Sequence, residues 1–303
     1  MQTSSSLGLP GALILSSLLV ACGGGGSDSG ALPAAQPLVS SGAAGTPRYS
    51  QSLLLTLIGV NLDSGVTVTS AGCSNIVRST TAPIISTAAV AYYTCTVSAA
   101  GAQQFNVTRS SDAFVLATVA YTVPVPQVTL SFSNGAGVNG NLVITLEPAR
   151  APVTVNNFLS YVNSNFYGGT VIHRHSPAFV LQGGGFAGPL VAGGANPTPK
   201  PTNAAIMLED NAGLSNVRLT VAMARTNAAD SATSQFFINL ASNTSLDRTA
   251  AARGYAVFGT ITGGIDLVNT MVAAPCTAWA GFLFAGECLP SPNITLTSAV
   301  QTR

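Results

Sequence analysis

Alternation of apolar and polar residues with a period of two dominates the chain from about residue 51 onward. SLLLTLIGVNL, GVTVTS, AVAYYTCTV, QQFNV and AFVLATVAYTV are rich in β-branched and aromatic residues, with turn residues between them at short spacing. No helical period interrupts them, so residues 51–123 predict a small β-sandwich. PVPQ at 124–127 marks a boundary, because proline cannot donate to the ladder of a central strand. Beyond it Val128, Leu130 and Phe132 alternate in VTLSF, and LVITL follows across a Gly/Asn-rich turn, which predicts a hairpin. The period then changes. APVTVNNFLSYVNSNFYGG sets Val155, Phe158, Leu159 and Val162 at i, i+3, i+4 and i+7, an amphipathic helix that stops near Gly168 and Gly169. TVAMA, QFFINL, AVFGTI and NITLTSAV return to strands, and GGIDLVNTMV predicts a second helix with Ile265, Val268 and Val272 on one face. Many strands and two helices over residues 127–303 predict a closed β-barrel capped by a helix at each end, so the fold class is mainly β, in two domains.

Upstream of the strands the pattern fades. Residues 23–50 are rich in Gly, Ser, Ala and Pro and read as a flexible linker. Ahead of them GALILSSLLVAC is too short for a membrane-spanning helix but has the length of a signal peptide core. It ends in Leu19-Val20-Ala21-Cys22, which resembles the lipobox of bacterial lipoproteins. The resemblance implies that residues 1–22 carry a lipoprotein signal, that Cys22 is acylated and anchors the chain to a membrane, and, with Gly23 next to it, that the protein belongs to the bacterial envelope at the outer membrane, facing the periplasm. Residues 1–11 hold no Lys or Arg, a departure from the usual basic start. An oxidising compartment suits the remaining cysteines, whose simplest pairing is local: Cys73 with Cys95 and Cys276 with Cys288. LTLIGVNL with Cys73 shortly after loosely resembles immunoglobulin-like modules of bacterial surface proteins, which implies a spacer or adhesion role for the sandwich.

Charge is scarce. Only 7% of residues are Asp, Glu, Lys or Arg, against roughly 25% in ordinary soluble proteins. The net charge of +1 gives no electrostatic case for a nucleic-acid partner. One cation stands out for its setting: VIHRHSPAFVLQGGGF places Arg174 between the only two histidines, His173 and His175, ahead of an apolar run. A buried charge is costly without partners or a task. The H-x-H spacing of a strand would put both histidines on one face, but without an acidic or thiol neighbour in sequence they read as structural, and no metal site or cofactor is expected. GGGFAG at 183–188 fits GxGxxG, yet PLVAGG after it opens no helix, so a dinucleotide site fails its context. Residues 273–290, AAPCTAWAGFLFAGECLP, form a loop that its two cysteines can close, and it carries the only tryptophan, Trp279.

VNNFLSYVNSNFYGGTVIHRHSPAFVLQGGGF is similar to the signature region of the cyclophilins, the peptidyl-prolyl cis–trans isomerases, and LTVAMARTNAADSATSQFFINL and GYAVFGTITGGIDLVNTM resemble two later segments of that family in the same order. The resemblance spans roughly residues 127–303 and implies an eight-stranded antiparallel barrel with two helices and an active site on its outer surface. By motif position it implies that Arg174 is the catalytic arginine, with Phe179 and Gln182 beside it. Val180, Ala224, Arg225, Gln235, Phe237, Leu246 and Tyr255 would line a groove for proline-containing polypeptides, Val180 standing where the family often has methionine. The chemistry suits these residue types. Twisting an X–Pro bond localises the nitrogen lone pair, and a fixed guanidinium aimed at it in a dry surround favours the twisted state over either planar one. Two other readings share the same residues: a groove that binds proline peptides with little turnover, and a displayed adhesion module in which the sandwich is the working part.

Overall fold

The structure is a computed structural model that describes residues 35–303; the signal segment with Cys22 and the chain up to residue 34 lie outside the described residues. Strands β1 (Leu38–Ala44), β2 (Ser52–Val60), β3 (Val66–Thr69), β4 (Cys73–Arg78), β5 (Val90–Val97), β6 (Gly101–Arg109) and β7 (Val115–Val123) form the first half. They make two sheets, ordered β1-β2-β5-β4 and β3-β6-β7. Alternation decides which side chains go inside: Leu53, Leu55 and Leu57 of β2 share a core with Phe105, Val107, Val119 and Tyr121, and Phe105 stacks on Tyr121 at 4.8 Å. A disulfide joins Cys73 of β4 to Cys95 of β5. Strand β1 lies inside the stretch read as linker. Its small residues are mostly exposed and carry no apolar period; backbone pairing to β2, with a bulge between Val39 and Ser41, makes it a strand.

After residues 124–126 come β8 (Gln127–Ser133), β9 (Asn139–Leu146), helix α1 (Pro152–Asn163), β10 (Thr170–Ser176), β11 (Val180–Ala187), β12 (Thr220–Met223), β13 (Phe236–Asn239), β14 (Val257–Gly263), helix α2 (Ile265–Ala273), the short pair β15 (Cys276–Thr277) and β16 (Leu289–Pro290), and β17 (Thr295–Gln301). Eight of these close into an antiparallel barrel in the order β10-β11-β13-β12-β14-β9-β8-β17. Closure leaves no free sheet edge in the barrel. Val128, Leu130 and Phe132 of β8 point inward as their alternation requires, and the β8–β9 hairpin forms.

Helix α1 buries Val155, Phe158, Leu159 and Val162, the expected stripe. Phe158 packs against Tyr167, Phe236 and Phe258 at 5.4, 5.9 and 4.9 Å between ring centroids, so the barrel interior is filled rather than hollow. Ala151 gives α1 no side-chain cap; Glu209 takes that part, accepting hydrogen bonds from the backbone N–H groups of Val153 (3.1 Å) and Thr154 (2.8 Å), where the helix dipole favours a carboxylate. Helix α2 forms where expected, with Val268 buried and Val272 partly buried against the core, but the face is shifted: Leu267 and Met271 are buried as well, while Ile265, in the first turn, is left exposed.

Candidate active site

Strand register builds the site on the outside of the barrel. Arg174 of β10 pairs with Gln182 of β11, Gln182 with Phe237 of β13, and Phe237 with Ala222 of β12. Directly paired residues share a face, so these four make one row across four strands. The apolar end of the row belongs to a cluster separate from the main core: Ala222 and Phe237 are buried with Val180 and Val257, and Phe179, Ala224, Leu246 and Tyr255 pack around them. Phe237 meets Tyr255 edge to face at 5.6 Å, and Arg225 stacks over the Tyr255 ring at 4.6 Å. The result is one groove lined by Arg174, Phe179, Val180, Gln182, Ala224, Arg225, Phe237, Leu246 and Tyr255. Gln235, the remaining residue expected from the sequence, lines an adjoining hollow with Gln182, Ala224 and Arg225.

The far wall of the groove comes from loops, and a buried asparagine fixes them. The Asn216 amide donates to the carbonyl oxygens of Leu246 and Tyr255, each at 3.3 Å, and to Asp247 Oδ1 at 2.9 Å. Arg225 is held by the carbonyls of Gly254 and Arg253, each at 2.9 Å. The glycine run after Gln182 has a packing cause. Gly184 has φ +83° and a Cβ there would come within 2.9 Å of the Tyr167 ring, so only glycine lets β11 turn this close to the core.

Arg174 is not the isolated cation its sequence neighbourhood suggested. Its Nε donates to Glu287 Oε2 at 2.8 Å, its Nη2 to Glu287 Oε1, and its Nη1 to Gln182 Oε1 at 2.9 Å. Gln182 Nε2 donates in turn to Gln235 Oε1 at 2.9 Å. The guanidinium has five N–H donors, and three are taken among the described residues, leaving one each on Nη1 and Nη2. The Arg174 side chain keeps 23% of its surface exposed and lies 6.0 Å from the Phe179 ring centroid, at the groove. Burial tends to raise the Glu287 carboxyl, but the hydrogen bonds and charge of Arg174 outweigh it and hold the group below its ordinary value. Sequence reasoning missed Glu287, 113 residues away, and Phe284, which stands exposed on the groove rim.

Among the described residues neither histidine hydrogen-bonds to this network, although His173 lines a hollow beside Arg174 and Glu287. A register shift sets Ile172 opposite Gly183 but Arg174 opposite Gln182, a bulge that breaks strict alternation and with it the expectation of both rings on one face. His173 is buried against Phe186, and burial, ahead of the neighbouring Arg174 charge, brings its pKa down to about 4. The His175 ring faces the second disulfide, Cys276–Cys288, with Nδ1 3.8 and 3.9 Å from the two sulfurs. This trio is compact enough for a metal, but its sulfurs are bonded to each other and offer no thiolate.

A groove of this construction, on the outside of a filled eight-stranded barrel, agrees with what the chain is similar to. Residues 128–288, more than half of the chain, match the family model described as cyclophilin type peptidyl-prolyl cis-trans isomerase/CLD. A peptidyl-prolyl cis-trans isomerase of Acinetobacter baylyi is 46% identical over 140 residues, which are 46% of this chain and 71% of the relative. Peptidyl-prolyl cis-trans isomerase A of Dickeya dadantii is 46% identical over 130 residues, 43% of this chain and 65% of the relative. Peptidyl-prolyl cis-trans isomerase B of Escherichia coli is 41% identical over 134 residues, 43% of this chain and 77% of the relative. The chain belongs to the cyclophilin-type peptidyl-prolyl cis-trans isomerases.

Proposed function

We propose that this isomerase accelerates X–Pro rotation through Arg174, acting on exported polypeptides in the bacterial envelope. Rotation about the bond meets a barrier of about 18–20 kcal/mol because the nitrogen lone pair is conjugated with the carbonyl. In the twisted state conjugation is lost and the nitrogen becomes a better acceptor. A proline ring seated on Phe237, Leu246 and Val180 brings that nitrogen to the groove beside Arg174. The unspent N–H donors of the guanidinium then favour the twisted state over the planar ones, which is what rate acceleration requires. Donors of this kind are worth about 2–4 kcal/mol each in a water-poor site. Arg174 carries the charge, Gln182 and Gln235 hold its Nη1 side, and no nucleophile, metal or cofactor enters the step. The observation that carries the reading is the row of Arg174, Gln182 and Phe237, which runs from a cation into an apolar cluster separate from the core.

The test is exchange NMR on an Ala-Pro peptide with the full chain and its Arg174→Ala variant. A rate that falls by roughly a hundredfold or more supports the reading; an unchanged rate sinks it. The Arg174–Glu287 ion pair favours a second reading, a groove that binds proline peptides with little turnover because a carboxylate offsets its cation. Peptide affinity without catalysis in the native chain would decide for that reading. The envelope context rests on the lipobox at Leu19-Val20-Ala21-Cys22 and on paired cysteines suited to an oxidising compartment. Metabolic labelling with a palmitate analogue tests the anchor: loss of label in Cys22→Ser supports it, and absence of label in the native chain removes it.

A further inference from the structure

We infer that the disulfide-closed loop 276–288 is part of the isomerase site, and that Glu287 is the positioning residue of Arg174. This rests on the reading above that Arg174 serves the isomerisation. The geometry begins with backbone. His175 of β10 and Cys288 form an antiparallel bridge, with His175 N to Cys288 O at 2.9 Å and Cys288 N to His175 O at 3.0 Å. An antiparallel bridge at this pair sets Glu287 opposite Ser176, hence on the same face as Arg174 and diagonal to it, within reach of a long side chain. The disulfide from Cys288 to Cys276 fixes the end of the loop that carries Glu287. The loop also steadies the carboxylate itself, since the Phe284 backbone N–H donates to Glu287 Oε2 at 3.3 Å.

The contact is of the orienting kind. An arginine side chain has four rotatable bonds, and one hydrogen bond from Gln182 leaves its plane free to turn. The two parallel bonds to Glu287 fix that plane, and with Gln182 on the other side they leave a single N–H on each Nη for a substrate. Glu287 is 7% exposed, so the carboxylate end of the pair sits away from bulk water while Arg174 keeps an open side towards the groove. Orientation and offset charge act in opposite directions on the rate. The first prevails because the groove can use the guanidinium only when its donors face the seated proline, and a misplacement of about 1 Å can cost a hundredfold.

Exchange NMR rates and saturation curves on the full chain, for wild type, Arg174→Ala, Glu287→Gln, Glu287→Asp and the double variant R174A/E287Q, test this. The expected result is a kcat roughly 10- to 100-fold lower in Glu287→Gln with KM little changed, partial recovery in Glu287→Asp, and no additional loss when Glu287→Gln is placed on Arg174→Ala. Loss of the protected Arg174 Nε–H signal in Glu287→Gln would accompany it. A Glu287→Gln rate equal to or above wild type, with Arg174→Ala still impaired, overturns the inference and leaves the role of Arg174 standing. Equal further losses in both backgrounds, together with a lowered Tm, would also overturn it, since that is the mark of a purely structural loop. An unimpaired Arg174→Ala removes both readings together.

Discussion

Gly185 of β11 lies directly under the side chain of Gln235: a Cβ at position 185 would come 2.6 Å from Gln235 Cγ and 2.7 Å from its Cδ and Nε2. The atoms that would have to move belong to a flexible side chain, not to backbone. Gly185→Ala therefore forces the whole Gln235 side chain into another rotamer, for which the adjoining hollow leaves room, and breaks its hydrogen bond with Gln182, which holds the Nη1 side of Arg174. The expected outcome is a Tm lowered by only a few degrees, about 1 kcal/mol or less, with a rate reduced several-fold. Because both changes act on the same hydrogen bond, Gly185→Ala should have little further effect on the rate of Gln235→Ala. Independent losses in the double variant would count against this path.

Asp210 connects stability to pH. The Arg253 guanidinium beside it, donating at 2.8 and 2.9 Å, holds its carboxyl down to about 2; burial opposes the shift, and the Gly254 N–H at 2.8 Å and Arg248 at 3.2 Å add to it. A folded-state value below the unfolded one means that the carboxylate stabilises the fold fully above about pH 4, the unfolded value, and loses that contribution as the pH falls towards 2. The guanidinium groups are half exposed, so screening trims the contribution to about 1–2 kcal/mol. Urea titrations of wild type and Asp210→Asn should therefore differ at pH 7 and converge near pH 2. Since the carbonyls of Arg253 and Gly254 hold Arg225, the variant should also weaken substrate binding at pH 7.

How much of this was legible depended on how local each cause is. The alternation of Val128, Leu130 and Phe132 and the stripe of Val155, Phe158, Leu159 and Val162 are written within a few residues, and both came out as strand and helix. Strand β1 was not legible, because its small exposed residues carry no apolar period and pairing with β2 alone decides its conformation. In α2 the period was right but the face was rotated towards Leu267 and Met271, since what a helix buries depends on where its neighbours stand. The groove residues came from motif order, and register then placed them side by side. The partner of Arg174 could not be found that way: Glu287 reaches it across 113 residues through a bridge at His175 that no local pattern announces.

Phe237 separates floor from core. Its ring is only 4% exposed but belongs to the outer cluster with Val180, Ala222 and Val257, not to the barrel interior. Phe237→Ala opens a cavity in that small cluster and should cost about 3 kcal/mol, the lower end for a buried phenylalanine because the site borders on solvent. Phe236→Ala, one residue away and packed on Phe158 and Tyr167, should cost about 4–5 kcal/mol. Proline-peptide titrations on the folded fraction should show the opposite order, with affinity lost in Phe237→Ala and kept in Phe236→Ala. Equal losses of affinity would mean that the groove floor is not the proline seat.

The two disulfides offer the last comparison. Cys73–Cys95 closes 22 residues of the sandwich and Cys276–Cys288 closes 12 residues beside Arg174. Loop-closure entropy assigns them similar stabilisation, about 3 kcal/mol each, because the dependence on length is only logarithmic. Their consequences for the rate should nevertheless differ. Replacing Cys73 and Cys95 by serine loosens β4 against β5, in a sheet that contributes no residue to the groove, so the isomerase rate of the folded chain should hold. Replacing Cys276 and Cys288 frees the loop end that carries Glu287, and the rate should fall towards that of Glu287→Gln while the barrel remains folded. Denaturant midpoints and exchange rates measured on the same samples check this; a rate that follows stability in both variants alike would place the loop outside the site.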